Sequence, residues 1–316
     1  MMNIIKDLWA KSGTINMPNG FSVPFWGYAE SASSEPQLPG PVIEATVGDT
    51  LQMNLHNMLN EPVSTIFPGQ NVVPTPVKDA DGKFVSYTAH APNNGDVVSY
   101  SYTADKPGVF LYESGSSPER QIQMGMYGNI IVRPVGFDVV NASTRTAYGT
   151  NTGSEFDIEK VLVFGEIDSV LHSKIVSPQP DDMYIFSPDY WTINGRSYPH
   201  TIAADDYSSQ PYSSKITAGP GQKILIRCIN AGFQHHNIRF DNLSVRVIGT
   251  DSVPLKSSTL DKTYRKNTVT IASGESYDII ITVNIPGMYM IYDRDYNHLV
   301  DINGLSSGMM TIIEIL

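Results

Sequence analysis

Apolar and polar residues alternate along most of this chain, and the alternation comes in short runs. Residues 50–56 read Thr-Leu-Gln-Met-Asn-Leu-His, with every second side chain apolar. The same two-residue period recurs at 97–102, 268–271, 277–283 and 310–315. Successive side chains of a strand point to opposite faces, so this period predicts strands with one buried and one wet face. The runs are rich in β-branched and aromatic residues and are bounded by Gly, Pro, Asn or Asp, which end strands in turns. A helical period is almost absent. Many short strands separated by turns predict an all-β protein made of sandwiches.

The pattern is also written twice. Val47-Gly48-Asp49-Thr50-Leu51 turns into a strand, Lys106-Pro107-Gly108-Val109-Phe110-Leu111-Tyr112 opens another, and Gly125-Met126-Tyr127-Gly128-Asn129 leads into a last one. Gly219-Pro220-Gly221-Gln222-Lys223, Ile285-Pro286-Gly287-Met288-Tyr289 and Gly308-Met309-Met310-Thr311 repeat these three parts in order. Two copies of one pattern predict two tandem domains. The length of 316 residues agrees, because a single sandwich takes roughly 100–150. The expected division is an N-terminal arm over 1–20, a first domain over 21–140, a linker over 141–158 and a second domain over 159–316.

Charge and cysteine content narrow the functions. The net charge of −11 leaves nothing to neutralise phosphates, so no nucleic-acid partner is expected. No apolar run approaches the roughly 18 residues of a membrane span, and the first residues lack a signal-peptide pattern. The one cysteine, Cys228, lies in the alternating stretch 224–229 and reads as a buried free thiol.

Several phrases carry a family likeness. Pro39-Gly40-Pro41-Val42-Ile43-Glu44-Ala45, Trp191-Thr192-Ile193-Asn194-Gly195-Arg196-Ser197-Tyr198-Pro199 and Ile226-Arg227-Cys228-Ile229-Asn230-Ala231-Gly232 occur in the order and spacing of the multicopper oxidases. Over residues 38–316 the chain resembles that family, which implies two tandem cupredoxin-like Greek-key β-sandwich domains. The resemblance also implies copper at two kinds of site. A blue site takes two histidines, a cysteine and a weak axial group, and a three-copper cluster takes eight histidines in His-x-His pairs. This chain has seven histidines in all and no His-x-His pair.

The departures fall on the ligand positions. Aligned on the family's motifs, Ile66 and Pro68 stand at one histidine pair, and Glu113 and Gly115 stand at another. Asp293 stands at the cysteine, within Tyr292-Asp293-Arg294. A histidine-rich motif of the family aligns with the stretch beginning at His236. The residual metal candidates are His235, His236 and His298. Neighbouring histidines on a strand face opposite ways, so only one of His235 and His236 can join His298. The bland reading of all three is a turn with satisfied or solvated imidazoles. Arg294 is expected to bridge Asp293 and Asp295, and Arg120 is placed to pair with Glu113.

The expected function follows from ligand loss. With no cofactor and no catalytic residues, the chain is read as an inactive scaffold: a surface-layer, coat or extracellular fibre subunit. It would self-assemble as a homo-oligomer or filament through edge strands and the N-terminal arm. That places it outside the cell or on its surface. The alternative is a copper-binding oxidoreductase with an unusual site. A small-ligand site between the domains is left open.

Overall fold

The computed structural model describes residues 1–177, 185–205, 207, 209–300, 304 and 307–316. Among these, nine strands build the first half: β1 (Asn3–Asn16), β2 (Ser22–Ala29), β3 (Ile43–Thr46), β4 (Thr50–Asn57), β5 (Val77–Lys78), β6 (Phe84–Ser86), β7 (Val97–Thr103), β8 (Gly108–Glu113) and β9 (Tyr127–Arg133). The second half adds β10 (Ile158–Ile167), β11 (Tyr190–Ile193), β12 (Ile216–Ala218), β13 (Lys223–Asn230), β14 (His236–Phe240), β15 (Val245–Thr250) and β16 (Val253–Pro254). It continues with β17 (Tyr264–Lys266), β18 (Thr268–Ile271), β19 (Ser276–Thr282), β20 (Gly287–Asp293) and β21 (Met310–Ile315). Helices are confined to short pieces such as α1 (Pro118–Gln121) and α2 (Ser169–Val176).

Each half is a sandwich of two sheets. In the first, β2-β1-β4-β7 faces β3-β9-β8. In the second, β11-β10-β13-β19-β15-β16 faces β12-β21-β20-β14-β18. The all-β, two-sandwich class read from the sequence is the class observed. The alternation explains why: in β4, Leu51, Met53 and Leu55 are buried while Thr50, Gln52 and Asn54 stay partly exposed. Burying each large aliphatic side chain contributes about 1.5–3 kcal/mol.

The first 20 residues are built into their own domain. β1 pairs antiparallel with β2 and parallel with β4, and it buries Leu8 and Ile15. The stretch 141–158 is docked as well. Ala147, Tyr148 and Phe156 pack on Leu225, Ile248 and Ile280 of the second sandwich.

The sandwiches meet across a shared apolar cluster. Phe25, Val109, Leu111, Tyr127 and Ile131 from one side pack with Val163, Ile167 and Ile229 from the other. Ser252 Oγ donates to the Val109 carbonyl at 2.7 Å. A side chain at residue 108 would place its Cβ 2.3 Å from that of Ser252, so glycine is required at this crossing. A chain of charges runs through the same region. Arg133 holds Glu44 at 3.1 Å and Glu159 at 2.6 Å. Glu159 is held in turn by the fully buried Arg227 at 2.6 Å, and Arg227 reaches Asp278 at 2.8 Å. The Tyr148 hydroxyl donates to Asp278 at 2.6 Å.

Cys228 is buried on β13 as expected, and burial raises its thiol pKa. No helix among the described residues is long and apolar enough to cross a membrane.

Candidate metal centre

Three residues distant in sequence meet at one end of the second sandwich. His236 opens β14 and Asp293 closes β20, and these strands run antiparallel with Ile238 opposite Asp293. The two-residue period then puts His236, Ile238 and Asp293 on one face of the sheet. His235 takes the other face and is exposed. Beyond β20 the chain turns through a 3-10 turn, Tyr296–Leu299, whose start is capped by the Asp295 side chain accepting from Asn297 N. The turn swings His298 back over Asp293. Trp191 of β11 stacks on the His298 ring at 4.6 Å between centroids.

Both imidazoles point at one oxygen. His236 Nδ1 lies 2.8 Å from Asp293 Oδ2, and His298 Nδ1 lies 2.7 Å from it. The other oxygen, Oδ1, accepts from the backbone N–H of Asn237 and Asp295 at 3.1 and 3.0 Å. Behind His236, Nε2 meets Glu166 Oε1 at 2.7 Å. Glu166 is itself fixed by accepting from the backbone N–H of Phe233 and Gln234. The side chains of His236, Asp293 and Glu166 are wholly buried, and only His298 reaches solvent, with 10% of its side chain exposed.

The electrostatics follow from this packing. Burial by itself lowers the His236 pKa. The hydrogen bonds and charges of Asp293 and Glu166 outweigh it and raise the pKa to about 9. Burial raises the pKa of Asp293, but the two histidines and the Asp295 N–H hold it well below the usual carboxylate range.

The donor set fits a first-row transition metal. Two imidazole nitrogens and a carboxylate oxygen lie within 4.8 Å of one another, the one such cluster among the described residues. The N···O spacings of 2.8 and 2.7 Å are those of hydrogen bonds, so a metal ion would take the place of the protons that the imidazoles share with Asp293. Glu166 supplies the outer carboxylate that commonly orients a metal-bound imidazole.

The sequence-derived positions divide between two places. Asp293, His236 and His298 converge, and His235 stays apart. Arg294 does not bridge Asp293 and Asp295; it lies over Tyr296 and bonds its hydroxyl, and histidines take the Asp293 carboxylate instead. In the first domain Ile66 and Glu113 exchange backbone hydrogen bonds at 2.8 and 3.1 Å, so two of the segments aligned with the family's histidine pairs do adjoin. A Cβ on Gly115 would lie 2.7 Å from Ile66 Cγ2, so packing fills this place. Pro68 is exposed beside it. Arg120 pairs with Glu61 rather than Glu113. Glu166 escaped sequence analysis; its one signal was a lone acid in an otherwise apolar stretch.

Glu113, without a cationic partner, has its pKa raised by burial from 4.5 to about 7. The folded state then holds the proton more tightly than the unfolded chain. The contribution of Glu113 to stability is fullest below pH 4.5 and declines as the pH rises to about 7, by up to about 3 kcal/mol. Glu113→Gln is expected to remove this decline, leaving the variant more stable than the parent at pH 8 and similar at pH 4. Urea titrations at the two pH values measure it, and equal pH slopes for both proteins would contradict it.

Comparison with known proteins places these features. The multicopper oxidase profiles match residues 22–136 and 170–311. Laccase-3 of Botryotinia fuckeliana is 28% identical over 253 residues, covering 78% of this chain and 48% of the relative. Copper resistance protein A of Escherichia coli is 25% identical over 268 residues, covering 77% of this chain and 41% of the relative. The chain thus spans less than half the length of these curated relatives. The crystal structure of a blue copper oxidase from Nitrosomonas europaea superposes with a TM-score of 0.76 at 24% identity, covering 100% of this chain and 86% of that one. A copper nitrite reductase from the same organism gives 0.68 at 21% identity, covering 100% and 94%.

These findings overturn the expectation of a chain without a cofactor, because the matching profiles and relatives are named for copper. The expectation failed for a physical reason. Seven histidines are too few for a three-copper cluster, but a single-ion site needs only two with one anionic ligand.

Proposed function

This chain belongs to the multicopper oxidase family, and we propose that it binds one copper ion through His236 Nδ1, His298 Nδ1 and Asp293 Oδ2 and serves as a copper-binding oxidoreductase with an altered site. The convergence of two imidazoles on one buried carboxylate oxygen carries the reading. Asp293 stands at the position the family resemblance gives to the cysteine of a blue site. A carboxylate keeps the negative charge there but replaces a soft ligand by a hard one. When bound, the ion supplies one-electron redox chemistry. The chain's own residues orient and shield it. Glu166 fixes the His236 ring, Trp191 covers His298, and the solvent-reaching edge of His298 is where a reductant can approach. The three-copper cluster is not reproduced within this chain, so single-electron exchange is the proposed activity, in place of oxygen reduction to water. A location outside the cytoplasm rests on kinship and belongs to the same proposal.

The scaffold reading drew on ligand loss, on edge strands and on an N-terminal arm that could pack on its own domain or cross to a neighbour. Asn3–Asn16 of that arm form strand β1 of their own sheet, so the crossing arm loses its support.

The test is metal analysis of protein loaded with Cu(II) and then dialysed. About one copper per chain is expected, falling to trace in a folded His236→Ala, His298→Ala double variant. Copper retained by that variant, or stoichiometric uptake of zinc but not copper, would falsify the assignment.

A further inference from the structure

We propose that the cleft between the two domains binds a small zwitterionic amino acid with an apolar side chain. The cleft is a cavity of about 380 Å³ lined from both sandwiches, in the size range that holds small ligands. It lies apart from the metal centre, shares no residue with it and does not depend on the copper reading.

Its polar lining is incompletely used. Asn129, on β9, is 2% exposed, and its amide Nδ2 is buried without a hydrogen-bond partner. Buried amides almost always have one, so this donor points to a group that arrives from outside the chain. The Tyr212 hydroxyl oxygen accepts from Gln37 Nε2 at 2.9 Å and from Val42 N at 3.2 Å. Both its acceptor positions are taken and its proton is left to donate. Lys160, on β10, has no described hydrogen bond or ion pair. Three donors of this kind on one cavity suit a carboxylate.

The charges say what the rest of the ligand is. Glu44 and Glu159 also line the cleft, but both are held by Arg133, and Glu159 by Arg227 as well. That leaves one cation, Lys160, and one anion, Asp205, which attract each other through space but share no described hydrogen bond or ion pair. Asp205 Oδ1 accepts from Ser213 N at 2.8 Å, and Oδ2 is without a described partner. An isolated anion would meet Asp205, and an isolated cation would meet Lys160. A dipolar ligand satisfies both, with its carboxylate on Lys160, Asn129 and Tyr212 and its ammonium on Asp205. Val42 and Ile131 give the apolar wall for its side chain. Burial lowers the Lys160 pKa and Asp205 works against that, so a ligand carboxylate would act in the same sense as Asp205.

Calorimetric titration of the full chain with leucine is the experiment, beside 4-methylpentanoate, which lacks the ammonium, and 3-methylbutylamine, which lacks the carboxylate. Saturable binding of leucine is expected, with each analogue weaker by about tenfold or more. Lys160→Gln and Asn129→Leu should each weaken leucine by about tenfold while the unfolding midpoint stays near that of the parent. Should one variant fail to fold, the other decides. The proposal is overturned if leucine shows no saturation up to about 50 mM, if either analogue equals leucine, or if a folded variant binds leucine like the parent.

Discussion

Copper-loaded Asp293→Cys is expected to turn blue, whereas the copper-loaded parent shows no intense visible band. The parent offers two imidazole nitrogens and a carboxylate oxygen, a hard set that gives copper only weak absorption. The substitution places a thiolate at a position already flanked by both imidazoles, two histidines and a cysteine being the main ligands of a blue site. Asp293 also accepts two backbone N–H groups that cysteine cannot serve as well, so the metal-free variant should be less stable than the parent by about 1–3 kcal/mol. Copper then recovers part of that loss by binding the folded state alone. Removing the anion by Asp293→Ala should weaken copper by about 100-fold or more, and Glu166→Gln should weaken it by about 10–100-fold through the His236 ring. Absorption and electron paramagnetic resonance spectra of the loaded proteins check this. A folded Asp293→Cys that binds copper stoichiometrically and stays colourless would mean that the ion sits elsewhere.

Arg227→Met should destabilise the protein by about 3–5 kcal/mol, because it strands buried carboxylates. Arg227 is completely buried between Glu159 and Asp278. Without it Glu159 keeps Arg133, but Asp278 keeps only the Tyr148 hydroxyl. Burial raises the Asp278 pKa and the Arg227 charge opposes that, so the variant should take up a proton and lose less stability at low pH than at neutral pH. A double variant, Arg227→Met with Asp278→Leu, removes both charges and should recover much of the loss. Denaturant unfolding at pH 5 and pH 8 tests the set. A loss under about 1 kcal/mol for Arg227→Met, or no recovery in the double variant, would show that the charge line does not support the fold.

The two predictions bear on different parts of the molecule. Arg227 and its partners lie along β10, β13 and β19 and tie the second sandwich to the first through Arg133. The candidate metal centre sits where β14 begins and β20 ends, beside the turn that carries His298. A change at one should leave the other intact, so unfolding and metal analysis can be read independently in the same variants.

The sequence by itself determined the elements and the class. Alternation is a local property, since one buried face every second residue needs no knowledge of the partner strand. Residues 50–56, 97–102 and 310–315 therefore fall within β4, β7 and β21. The order of family motifs, also local, determined the kinship. The histidine count determined that a three-copper cluster cannot be assembled from this chain's own residues. Only the tertiary structure decided the site. His236 and Asp293 are 57 residues apart, and His236 and Glu166 are 70 apart. They meet because β14 and β20 share a register and because β10 places Glu166 behind them, and a register is a relation between strands that no single stretch encodes. The same holds for the pairings read wrongly. Arg120 and Arg294 are expected from sequence to pair with acids a few residues away, Glu113 for one and Asp293 and Asp295 for the other, while folding supplies Glu61 to the first and the Tyr296 ring to the second. A scaffold without metal was the natural reading while ligands were counted along the chain; the folded chain instead brings two histidines and an aspartate together, a group that could hold an ion.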